Sequence, residues 1–125
     1  LAGSVVAGSH TYAGQSGTYV KVGKVVIATC YIVVNTDGLD AAMSGNLRIT
    51  GLPFASNAYA RNTIEYNVLN LGTNYANVLA TTNPNENHIA LVKTGNGVAG
   101  TYLTAADLAA GQAVVFTCSL VYTVA

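Results

Sequence analysis

A chain of 125 residues and 12.8 kDa holds one compact domain and is too short for two ordinary ones. Charged residues are 8% of it, against about a quarter in ordinary globular proteins, and five Lys and Arg balance five Asp and Glu. That balance excludes the basic, phosphate-tracking surface of a nucleic-acid binder and a polybasic membrane patch.

Hydrophobic residues are 51% of the chain and mean hydropathy is +0.41. The longest apolar stretch, residues 25–34, contains Thr29 and falls well short of the ~20 residues of a spanning helix. No stable membrane insertion is therefore expected. The opening LAGSVVAG has neither Met nor a basic leader, and residues 1–125 read as a single domain cut from something longer. Ten formal charges on a folded surface of roughly 6,300 Å² are sparse. Asn, Thr, Ser and Gly are expected to supply the wet face, with part of the surface covered by other subunits.

In chain order, residues 3–12 alternate weakly and read as a first strand. Residues 19–22 and 25–34 read as a hairpin joined at Gly23-Lys24, because Gly in the first central position suits a type II′ turn. The second of these strands is almost wholly β-branched or aromatic. A turn is expected at 35–38, and a short strand at 46–50, stopped by Gly51-Leu-Pro-Phe54. Residues 63–71 alternate, with Ile64, Tyr66 and Val68 opposing Thr63, Glu65 and Asn67. Strands at 76–82 and 88–93 flank the polar loop 82–87. Thr104-Ala-Ala-Asp107 has capping-box spacing, followed by Leu-Ala-Ala and a Gly111 stop, and supports one or two helical turns. The last strand, 112–124, sets Val114, Phe116, Cys118, Leu120 and Tyr122 on one face. About eight short strands and one helical turn read as an all-β sandwich or barrel.

The two long strands are apolar on both faces. Val26, Ala28, Cys30, Ile32 and Val34 oppose Val25, Ile27, Thr29, Tyr31 and Val33; the reverse face of the last strand is small and weakly polar. A sheet with one wet face alternates apolar with polar. Something is therefore expected to pack outside the sandwich, either a neighbouring subunit or a loop of the same chain.

Tyr19-Val-Lys-Val-Gly-Lys-Val-Val26, Gly45-Asn-Leu-Arg-Ile-Thr-Gly-Leu-Pro-Phe54 and the closing Ser119-Leu-Val-Tyr-Thr-Val together resemble the C-terminal tip domains of bacteriophage tail fibres and tail needles. Such domains often read Y-x-K-x-G-x-x-V, then x-I-x-G-L-P-F, then an aromatic-rich terminal strand. The segment Leu103-Thr-Ala-Ala-Asp-Leu108 is similar to the family's short helical turn. The resemblance spans residues 19–122. It implies a jelly-roll sandwich of antiparallel strands of the tumour-necrosis-factor/C1q type, assembled as a homotrimer at the distal end of a virion appendage. The implied role is non-enzymatic contact with the bacterial cell, through a surface glycan or another polar envelope ligand. A purely structural trimerisation knob and a polysaccharide-degrading tailspike tip are the alternatives. The family carries no fixed set of binding residues.

Gly95-Asn-Gly-Val-Ala-Gly100 matches G-x-G-x-x-G, but no helix follows and no acid stands ~20 residues on, so it reads as an inter-strand turn. His10 and His88 have no second ligand at metal spacing. Asp37, Gly38 and Asp40 lack the remaining oxygens of a calcium loop. No nucleophile motif occurs, and nothing pairs two carboxylates for glycosidase chemistry. No catalytic residue, metal or cofactor is expected. Cys30 and Cys118 read as buried thiols, kept reduced by the assembly in a bacterial cytosol that the resemblance implies, with a single bridge between them as the alternative. Ligand contact is expected from two loops, 55–62 and 82–88, which carry Tyr59, Arg61, Asn62, Asn85, Glu86 and His88. Tyr with Asn offers a flat apolar ring beside amide donors and acceptors. Arg48 and Arg61, the chain's arginines, suit bidentate recognition of a carboxylate.

Overall fold

β-Branched density decides where the long strands form. In the computed structural model, which describes residues 1–35, 37–67, 69–108 and 111–125, β2 (Tyr12–Val22), β3 (Val25–Val34), β10 (Val114–Thr123) and β6 (Glu65–Asn67) make a four-stranded sheet in the order β2-β3-β10-β6. A six-stranded sheet runs β1 (Ala2–Gly3), β4 (Leu47–Thr50), β8 (His88–Gly95), β7 (Tyr75–Thr82) and β5 (Ala60–Thr63), with β9 (Thr101–Tyr102) also paired to β8. Every pairing among them is antiparallel. The all-β expectation holds, and the exposed surface of 6449 Å² matches the size-based value.

The two inner faces meet in one core. Val26, Ile32 and Val34 of β3 and Phe116, Leu120 and Tyr122 of β10 face Leu47, Val78, Ile89 and Leu91 from the other sheet, all buried. β10 buries every second residue from Val114 to Tyr122, as its alternation predicts. β3 and β10 align over their full ten residues, Val114 opposite Val34 through Thr123 opposite Val25. The β2–β3 hairpin closes at Gly23-Lys24 with Val22 opposite Val25. Gly23 has φ +58 and Lys24 stays at negative φ, the signature of the expected type II′ turn. The helical turn is a single 3-10 turn at Ala105–Asp107. There the Asp107 carboxylate accepts from the Thr104 amide at 2.9 Å.

Several expectations are corrected. The predicted first strand at 3–12 is only Ala2–Gly3. Gly3 lies so close to the Ser44 and Val6 carbonyls that a Cβ would collide with both, and Gly8 turns at φ +80. β2 begins at Tyr12 rather than Tyr19, because β3 supplies a full-length partner for a glycine-rich segment of poor intrinsic strand propensity. The strand predicted at 63–71 is split. β5 pairs with β7 in one sheet, β6 pairs with β10 in the other, and the chain changes sheets at buried Ile64. Thr36 of the predicted turn, Val68 of that strand, and Ala109 and Ala110 of the helical stretch lie outside the described residues.

An ion pair inside the protein had no sequence signal. Lys93 Nζ stands 2.5 Å from Asp107 Oδ1, with both side chains largely buried. The same ammonium donates to the Leu71 carbonyl at 3.2 Å and sits 4.7 Å above the Tyr75 ring. The pair fastens β8 to the 3-10 turn. Removing one member of such a buried pair costs about 3–5 kcal/mol, chiefly by stranding the other charge.

The expected reduced thiols are also corrected. Cys30 and Cys118 form a disulfide. They are directly opposed in the β3–β10 register, with Cα atoms 5.2 Å apart, inside the range that a bridge spans. Their mid-strand, inward positions were legible; that the register would set them face to face was not. A bridge across a sequence separation of 88 restricts the unfolded chain by about 4 kcal/mol on loop-closure grounds. Thermal melts with and without reductant check this. Reductant should lower Tm by about 15 °C, and an unchanged Tm would contradict the bridge.

Candidate functional site

One end of the sandwich gathers the segments with the most functional groups. After β4 the chain turns at Gly51, at φ +97, and Leu52 donates its amide to the Asn87 carbonyl at 3.0 Å. The loops 55–62 and 82–88 then clip together. The Ser56 amide donates to the Glu86 carbonyl at 2.9 Å, and the Asn85 amide donates to the Ser56 carbonyl at 2.6 Å. Two buried hydroxyls brace this clip from inside: Ser56 Oγ donates to the Ala58 carbonyl at 2.6 Å, and Thr82 Oγ1 accepts the Ala60 amide at 3.1 Å. Asn57 donates its amide to the Thr123 carbonyl and Val124 donates to the Lys24 carbonyl, both at 2.9 Å. The clipped loops, the β2–β3 turn and the end of β10 thus form one hydrogen-bonded platform.

The three segments that carry the family resemblance touch at this end. The Tyr19 ring meets the Phe54 ring edge-on at 5.7 Å between centroids. Lys21 Nζ lies 5.2 Å from the Phe54 centroid, a cation held against the ring's negative face. From the terminal strand, Tyr122 donates its hydroxyl to the Phe54 carbonyl at 3.2 Å. Burial raises the Tyr122 phenol above its ordinary pKa, so it stays a protonated donor. Gly51-Leu-Pro-Phe54 is therefore a lid over one edge of the core.

The six predicted contact residues do not form one cluster. Tyr59 is 69% exposed, one residue before β5. Asn85 sits at φ +66, a left-handed turn that asparagine tolerates. Glu86 Oε2 lies 3.1 Å from His88 Nε2 and accepts from Asn83 Nδ2 at 2.7 Å, so these two predicted residues do meet. Arg61 and Asn62 are corrected from loop to strand. They belong to β5, opposite Thr81 and Ala80, because the chain straightens against β7 as soon as Thr82 has bound Ala60. As strand neighbours they diverge: the Asn62 side chain donates to the Ser119 carbonyl, linking β5 to the other sheet. Arg61 instead lines a groove of about 310 Å³ with Leu79, Thr81, Val92, Thr94 and Gly100. Those groove residues carried no local sequence signal, because only strand register assembles them.

Two further openings exist. A cleft of about 460 Å³ lies between the sheets along β2, lined by Gln15, Tyr19, Ile49 and Leu52, with the disulfide beneath. At the opposite end, Asp40 organises a turn. Its carboxylate accepts the amides of Ser9 and Ala42, each at 2.9 Å, which hold it below the ordinary carboxylate range. Its own amide donates to His10 Nδ1 at 3.2 Å. This is the turn chemistry expected of Asp37, Gly38 and Asp40. Among the described residues no three His, Cys, Asp or Glu side chains gather closely enough to hold a metal ion, and no helix is long and apolar enough to cross a membrane.

Comparison with protein-family models, with curated proteins and with solved structures found no match to this chain.

The His10–Asp40 corner makes stability depend on pH with a defined sign. Burial lowers the His10 pKa, so below about pH 6.5 the unfolded chain takes up this proton first and stability declines. Asp40, with its lowered pKa, adds stability above about pH 3.9 that is lost as pH falls through its folded value. Burial also lowers the pKa of the Leu1 ammonium, so melts across pH should show a fall in stability below about pH 8, and His10 adds a further decline below about 6.5. His10→Gln should flatten that further decline and leave the acid limb; an identical profile in His10→Gln would contradict the assignment.

Proposed function

We propose that this chain is the non-enzymatic, trimeric tip of a bacteriophage tail fibre or tail needle, folded as a jelly roll of the tumour-necrosis-factor/C1q type. Its work is contact with the bacterial surface. The observation that carries the reading is the outer face of the four-stranded sheet. Val22 opposes Val25, Val20 opposes Ile27, and Ile27 opposes Val121 on its other side, so these five side chains are neighbours. They are exposed by 71, 41, 61, 45 and 56% respectively. Among the described residues no element covers them. Monomers rarely leave such a contiguous apolar patch in water, and a threefold axis packs the same patch from each subunit against its copies.

Further support comes from connectivity and from the platform. The links from β3 to β4, β5 to β6, β6 to β7 and β9 to β10 pass between the sheets, whereas β2–β3 and β7–β8 are hairpins within one. Crossing links of this kind belong to jelly rolls and other Greek-key sandwiches. The contact of Tyr19, Lys21 and Tyr122 with Phe54 gives the phage-like segments a common structural purpose. With the long strands committed to core and axis, the clipped loops are what remains for recognition, and loops held by a rigid scaffold commonly carry it.

Two experiments test the reading. Val121→Lys places a charge within the apolar patch, beside Ile27, and should yield a folded monomer by size-exclusion chromatography. A Val121→Lys variant that elutes with the unmodified chain would contradict the axis. An array of bacterial surface polysaccharides should show binding without release of new reducing ends. Binding should weaken in Tyr59→Ala while the folding free energy stays within about half a kcal/mol, as is typical of surface changes. No binding would leave the structural knob, and product release would make the tip an enzyme.

A further inference from the structure

The outer face of the six-stranded sheet holds a second feature that recognition by loops does not explain. Arg48 opposes Ala90, Ala90 opposes Thr81, and Thr81 opposes Arg61. Directly opposed residues point to the same side of a sheet, so the chain's two arginines stand in one row with two small residues between them. Three strand spacings of about 4.8 Å separate their Cα atoms by roughly 14 Å. Ala90 and Thr81 are buried although they lie on the outer face, as small residues are when long arginine stems lie over them.

Neither arginine has an acidic partner among the described residues. Glu86 is engaged by His88, Asp107 by Lys93, and Asp40 by backbone amides. Arg48 Nε is buried with no hydrogen-bond partner in the protein, and an unsatisfied buried donor of this kind calls for a ligand or solvent acceptor. Beside Arg61 the groove of about 310 Å³ has an apolar floor of Leu79 and Val92, with the hydroxyl-bearing residues Thr81 and Thr94 at its side. Tyr102 lies opposite Val92 and is exposed, adding an aromatic ring on the same face. The volume is at the small end of ligand sites.

We propose that this groove binds the carboxylate-bearing sugar of an acidic polysaccharide. The Arg61 guanidinium takes the carboxylate bidentately, a geometry that its planar fork matches. Arg48 supplies a second positive charge in the same row. Thr94 offers a hydroxyl partner for the sugar's own hydroxyls, and Val92, Leu79 and Tyr102 meet its apolar face. An inorganic oxyanion would use the arginines but leave the apolar floor and the aromatic ring without a partner. The proposal deepens the reading of surface contact and rests on it only for the source of the saccharide.

The test is calorimetric titration of the purified protein with three probes: an oligogalacturonate, a neutral dextran oligomer of equal length, and inorganic phosphate. The oligogalacturonate should bind, more weakly as salt rises, and dextran should not. Arg61→Ala should weaken binding about tenfold or more, Arg48→Ala should weaken it less, and Arg61→Lys should recover only part of the Arg61 loss. Melting curves of each variant establish that it is folded. Unchanged affinity in folded Arg61→Ala and Arg48→Ala, or equal binding of dextran, overturns the proposal. Phosphate binding as tightly as oligogalacturonate overturns the saccharide assignment. Array binding to neutral polysaccharides with no response to oligogalacturonate would reject this groove and keep the surface role. The reverse pattern would keep the groove and reject the role.

Discussion

The pairing of β3 with β10 is the constraint on which the rest of the structure depends. It joins residues 25–34 to residues 114–123 over ten consecutive positions, and one register sets both faces of both strands. Sheet register is normally specified by which face is apolar, since a slip of one residue exchanges the faces. Here that specification is weak, because Val25, Ile27 and Tyr31 on one side of β3 are nearly as apolar as Val26, Ile32 and Val34 on the other. The Cys30–Cys118 bridge, formed between directly opposed residues, holds the register that hydrophobic pattern alone leaves underdetermined. A covalent cross-link in the middle of the central pair thus permits a sheet that carries apolar residues on both faces.

That arrangement explains what could be read in advance. The density of β-branched residues made β3 legible, and simple alternation made β10 legible. The Gly-Lys pair located the hairpin turn, and the T-x-x-D spacing located the 3-10 turn. All of these signals are local. Ile64 shows the limit: residues 63–67, within the alternating stretch 63–71, read as one strand, yet the chain leaves β7 and joins β10 within them. Alternation records which residues face inward and carries no information on which sheet they belong to. The first half of β2 was hidden by Gly14, Ser16 and Gly17, whose low propensity is overridden by a complete partner strand.

The site divides along the same line. The density of Tyr, Asn, Glu and His in loops 55–62 and 82–88 marked them as a pair, and the Ser56–Glu86 and Ser56–Asn85 backbone bonds hold them together. Arg61 was misplaced because its environment is set by Thr81, 20 positions later in the chain and opposite it in β5–β7. Its groove, the row it shares with Arg48 and the Lys93–Asp107 pair are all products of register. Chemistry assembled across strands is invisible to any window of sequence shorter than the strand pairing itself, and in this chain most polar chemistry is assembled that way.

Charge economy ties these observations together. With so few ionised groups, the protein keeps Lys93 and Asp107 inside, pairs Glu86 with His88, and leaves the arginines on one outer face and the apolar patch of Val20, Val22, Val25, Ile27 and Val121 on the other. The two sheets therefore offer water very different surfaces, and the apolar one is the feature that a solitary chain accommodates worst. Sedimentation equilibrium of the unmodified protein at micromolar concentration tests this most directly. The account predicts a single species of three times the 12.8 kDa chain mass; a single species at 12.8 kDa would contradict it.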